Sequence, residues 1–146
     1  MTPDNLFSIA NIVALLAWVL LAAWPGKRWV AETVTGTIVP ALLAAVYVAI
    51  VATTWAGSTG SFSSLSGVAM VFGHPWMLLA GWIHYLAFDL LIGSWEVRDA
   101  GERGVPHLLV VPCLFLTFMF GPAGWLLYRG VRATRGKVAG GPAAAR

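Results

Sequence analysis

Asp89 and His84 are the residues best suited to chemistry, because both lie inside an apolar run at 75–95 that is long enough to cross a bilayer. A charge near mid-bilayer costs roughly 2.5–3.5 kcal/mol even on lenient insertion scales. Such a residue is therefore a functional candidate by default, with Asp89 first. On a helix turning about 100° per residue, Trp82, Tyr85, Asp89, Gly93 and Glu96 form one stripe. A carboxyl group on that stripe must face protein rather than lipid. Burial without a fixed cation favours its neutral form, which can donate a proton. A structural hydrogen bond to Asn11 or to a hydroxyl of the second span is the plainer role. His84 precedes Asp89 by five residues and so points about 140° away. It flanks the same inward arc or faces another neighbour. Tyr47 is a candidate proton donor or packing group. Trp82 offers a flat wall for a long apolar ligand.

The elements that hold these residues follow from hydropathy. The 146 residues are 59% hydrophobic and 10% charged, against about 25% charge in a soluble domain. This is an all-α membrane protein by composition. Four apolar runs, at 6–24, 34–55, 75–95 and 106–129, predict a four-transmembrane-helix bundle over 1–132. The 133–146 tail is basic and lacks apolar periodicity, so it is expected to be disordered. The first run has no Lys or Arg before it and exceeds a signal-peptide core, so it reads as a retained span. The connection between the second and third runs is Gly/Ser/Thr-rich at first and apolar from Leu65 to Phe72, which suits a short interfacial helix. The charged stretch containing Glu96, Arg98, Asp99, Glu102 and Arg103 reads as a solvated loop. Four spans place both termini on one side. The first and third loops and the C-terminal tail then compete for the cytoplasm, which leaves the orientation open.

Several classes drop out. One cysteine, Cys113, permits no internal disulfide. There is no phosphate loop, nucleophile elbow or zinc-protease motif. The net charge of +3 suits juxtamembrane anchoring rather than nucleic-acid binding. His74 and His107 lie near span ends, so an axial haem pair with His84 is not expected, and neither a metal nor another cofactor is called for.

Trp82-Ile83-His84, Asp89-Leu90, Arg98-Asp99 and Gly121-Pro122-Ala123-Gly124, in that order, resemble the plant abscisic-acid-deficient-four family and its bacterial relatives, formerly a domain of unknown function. Plant members carry a Cys-Pro-x-Gly turn where this chain has Gly121-Pro122-Ala123-Gly124. They are chloroplast membrane proteins needed to make neoxanthin from violaxanthin. The resemblance implies a redox-neutral carotenoid or isoprenoid isomerisation, in which an epoxide opens as a neighbouring carbon loses a proton. Asp89 and His84 would then be catalytic, and Trp82, Tyr85, Tyr47 and Asn11 would line the substrate. Two alternatives stand beside it, a non-catalytic carotenoid- or lipid-binding protein and a small transporter or channel subunit. The expected partners are membrane lipid and an apolar isoprenoid or carotenoid, with no nucleic acid and with homo-oligomers open. The expected location is a multi-pass position in a bacterial inner membrane.

Overall fold

A computed structural model describes residues 1–57 and 59–135, and these form helices joined by short connections. Helix α1 is Pro3–Ala23 and starts at Thr2, whose hydroxyl accepts the amide of Asn5. The chain reverses through 24–27. It then enters a π-helical segment, Val30–Ile38, continuous with α2, Val39–Thr54. Pro40 accounts for the wide turns. In an α-helix its ring would press on the Gly36 carbonyl, and loosening the preceding turns relieves that clash. Thr35 and Thr37 donate to the carbonyls of Val30 and Glu32, five residues back. The expected interfacial helix is α3, Leu65–Phe72, capped by the Ser64 hydroxyl on the Gly67 amide.

Helix α4, Pro75–Arg103, is the axis of the molecule and packs against α1, the π-helical segment, α2 and α5. The charged stretch expected as a loop belongs to it. Glu, Arg and Ala are good helix formers. The stop comes only at Gly104, a glycine at φ 67° that accepts the left-handed C-terminal turn. Glu96 is consequently buried at 0% exposure and Asp99 at 8%, rather than solvated.

Three helices, Pro3–Ala23, Val30–Gly57 and Pro75–Arg103, are long and apolar enough to cross a membrane. Their outer faces carry bare side chains such as Ile12 and Leu16, 59% and 64% exposed, which suits lipid rather than water. Their inner faces are small. Ala10, Ala14 and Ala17 recur along α1 and let it approach α4 closely.

The fourth expected span is divided. It consists of α5, His107–Phe120, and α6, Pro122–Arg135, separated by Gly121. Each has 14 residues, or about 21 Å, short of a hydrocarbon core of about 30 Å. Gly121 has φ 42°, a backbone that side chains resist, and Pro122 then opens the new helix. The direction reverses there. Gly121 lies beside Asp89, the midpoint of α4, while Tyr128 and Arg132 have returned to Asp99 near its end. A side chain on Gly124 would land on the Thr117 amide and hydroxyl and on the Cys113 carbonyl, so α5 and α6 touch backbone to backbone. The part of the basic tail after Arg135 lies outside the described residues.

Candidate functional site

The stripe on α4 organises the site. Trp82 packs at a tilt against Phe7 of α1 at 5.6 Å and against Tyr85 at 5.4 Å, and its indole N–H donates to Asn11 Oδ1 at 3.2 Å. Asn11 also donates its amide to the Phe7 carbonyl at 2.7 Å. It is satisfied by Trp82 and its own helix, so it is not the hydrogen-bond partner considered for Asp89. Tyr85 donates its hydroxyl proton to the Phe118 carbonyl of α5 at 3.0 Å. One turn later, Asp89 interacts with Tyr85 and meets the hairpin tip. Its Oδ1 lies where a side chain on Gly121 would come within 2.8 Å, and its Oδ2 is sealed without a hydrogen-bond partner among the described residues.

No cation pairs with Asp89 or Glu96 among the described residues, whereas Asp99 is held by Arg103 at 2.9 Å, Arg132 at 3.1 Å and the Tyr128 hydroxyl at 2.7 Å. Gly93, between the two unpaired acids, is the seat of the Trp18 ring. Glu96 receives the Thr117 hydroxyl, 3.0 Å from one oxygen and 3.2 Å from the other.

An apolar groove of about 690 Å³ runs along the stripe between α1, α3 and the first half of α4. Phe7, Phe72, Leu79, Trp82 and Tyr85 line it. Tyr85 therefore stands between the groove and Asp89.

His84 lies elsewhere. Its ring is 4.5 Å from Phe88 and 5.5 Å from Tyr47 of α2, in a second groove of about 630 Å³. The five-residue offset from Asp89 puts the two on different faces of α4, and the structure does not bring them together as a pair. Tyr47 accompanies His84 rather than Asp89. His107 Nε2 donates to the Ala22 carbonyl at 2.8 Å and ties the start of α5 to the end of α1.

The sequence model of the family described as ABA DEFICIENT 4-like matches residues 5–128. The chain belongs to that family. No curated protein and no solved structure matches it. The matched range in this ABA DEFICIENT 4-like chain takes in the three long helices and the hairpin through Tyr128, so the reversal at Gly121 is inside it.

The contribution of the hairpin escaped the sequence reading. Each glycine of the Gly121-Pro122-Ala123-Gly124 turn serves one of the two acids that lack a cation among the described residues. Gly121 makes room for Asp89, and Gly124 makes room for the Thr117 hydroxyl that binds Glu96. The signal was present in the stripe, since Glu96 follows Asp89 by seven residues and Asp89 follows Tyr85 by four.

Proposed function

We propose that this ABA DEFICIENT 4-like protein is a membrane-embedded isomerase that binds an isoprenoid of the carotenoid type in the groove along Trp82 and Tyr85 and moves a proton with Asp89. The supporting observation is Asp89 itself. Among the described residues it is a carboxyl group at the midpoint of the longest apolar helix, without a cation, with one oxygen sealed and unpaired, behind Tyr85 of the apolar groove. A group so placed is expensive in lipid and is functional by default.

One carboxyl group can serve both halves of the reaction that the family resemblance implies. Neutral Asp89 protonates the epoxide oxygen as its carbon–oxygen bond breaks. The carboxylate left behind takes the proton lost from the neighbouring carbon, and the double bond forms there. Protons and electrons balance, and the acid is restored. Tyr85, its hydroxyl held by the Phe118 carbonyl, forms the wall of the groove at that point. This scheme leaves His84 outside the chemistry.

The topology belongs to the same reading. Three spans and a hairpin that enters and leaves by one face put Lys27, Arg28, Arg98, Arg103, Arg129 and Arg132 at one end. The opposite end, with the N-terminus and α3, has no Lys or Arg among the described residues. Under the positive-inside rule the basic end is cytoplasmic, in a bacterial inner membrane.

A carrier without turnover is the second reading. It is favoured by the lining of the groove, from which Asp89 is absent. The deciding experiment expresses the protein and Asp89→Asn in a carotenoid-producing host and compares pigment extracts with pigment bound to purified protein. A product lost in the variant while pigment still co-purifies establishes the isomerase. Bound pigment with identical extracts for both proteins establishes the carrier. A colourless protein with unchanged extracts overturns the isoprenoid reading.

A further inference from the structure

The second groove, on the other face of α4, has features that lipid tails alone do not satisfy. Tyr47 and His84 face it together, and neither the phenol oxygen nor either imidazole nitrogen has a hydrogen-bond partner among the described residues. Tyr47 lies ten residues before Gly57, and His84 lies nine after Pro75. Both are thus about 14 Å inside the same end of the helices, within the hydrocarbon of a spanning bundle. Hydrocarbon offers no partner to such groups, and leaving them unmade is costly. The rest of the lining is apolar. Met77 and Phe72 form walls, and Trp55 and Phe62, stacked at 5.5 Å, stand at the mouth near the non-basic end. Phe72 also divides this groove from the first, because its ring rests against Gly81, where any side chain would collide with it.

We infer that Tyr47 and His84 form a separate binding site for an apolar molecule that ends in one hydroxyl or carbonyl oxygen. The molecule enters from the non-basic leaflet past Trp55 and Phe62, with its oxygen end foremost. The tyrosine hydroxyl and the imidazole each offer a donor and an acceptor, so the pair accepts either type of oxygen. The helices fix the depth of the pair and the aromatic mouth fixes the direction of entry. Selectivity is therefore for an oxygen at the buried end, with tolerance in the chain behind it. This site does not depend on proton transfer at Asp89.

The test uses the full chain in nanodiscs and two probes, all-trans-retinol and the hydrocarbon that differs from it by lacking the hydroxyl. Their affinities are compared by quenching of tryptophan emission. One net hydrogen bond corresponds to a preference of up to about tenfold for the alcohol in the unaltered protein. Tyr47→Phe and His84→Phe, which keep ring volume, bring the ratio toward one while leaving hydrocarbon affinity in place. Asp89→Asn leaves the ratio intact, so failure of the isomerase reading and failure of this one are distinguishable. Equal affinities in the unaltered protein, or a preference that survives both substitutions, overturns the assignment.

Discussion

Glu96 is the residue whose setting departs most from an ordinary membrane helix. It has no exposure, no cation among the described residues, and a single hydroxyl partner. Removing that partner is the sensitive change. Thr117→Val keeps the shape and deletes the donor, so a buried carboxyl group loses its hydrogen bond. The expected loss is about 1–3 kcal/mol, read as a lower thermal midpoint in detergent. Glu96→Gln keeps a group that can accept from Thr117, and its midpoint should fall less than that of Thr117→Val. Equal effects of the two would mean that Thr117 acts by packing alone. Asp99 behaves differently, because Arg103, Arg132 and Tyr128 already surround it. Asp99→Ala leaves two guanidinium groups without their carboxylate. It should release α6 from α4, and faster tryptic cleavage at Arg129 or Arg132 reports that release.

At the scale of elements, the helical hairpin holds the site shut. Its tightest point is Gly124, and Gly124→Ala places a methyl group against fixed backbone atoms of α5. Overpacking of this kind costs about 1–3 kcal/mol. The expected result is a destabilised protein in which Tyr85 loses the Phe118 carbonyl, visible as a red-edge change in tyrosine absorption. The hairpin was also the element least legible in the sequence. A run at 106–129 has the length and hydropathy of one span, and hydropathy does not record direction. Gly121-Pro122 is equally compatible with a kink and with a reversal, and only packing of Gly124 on Thr117 and of Tyr128 near Asp99 decides between them. By contrast α3 coincides with the apolar stretch from Leu65 to Phe72, and the structure adds the Ser64 cap and the stop at Gly73 that bound it. The end of α4 was misplaced because clustered charge at 96–103 looks like solvent, although a helix carries it well until Gly104. The 3.6-residue period placed Asp89, Gly93 and Glu96 on one inward face. It could not say which neighbour would cover them, nor whether His84, about 140° away, flanks the same arc or faces another helix.

For the whole molecule, the three-span reading makes a topological prediction opposite to that of four spans. It puts Thr2 and Ala133 on opposite sides of the membrane. Single cysteines introduced at Thr2 and Ala133, in a Cys113→Ala background, should react with an impermeant maleimide from opposite faces of intact spheroplasts. Labelling of both from one face would restore a fourth span. The charge distribution supports the first outcome, because α6 returns its arginines to the end that already holds Lys27, Arg28, Arg98 and Arg103.

The reversal at Gly121 also sets an order of events during biogenesis. The ribosome delivers α4 before the hairpin, and a 14-residue helix such as α5 is too short to halt in the bilayer as an independent span. The three long helices therefore enter first, with Asp89 and Glu96 still uncovered, and the hairpin docks later as a plug. Until then the nascent protein presents two bare acids to lipid. A truncation before His107 should be recognised as incomplete and degraded, even though every long apolar segment has already been inserted.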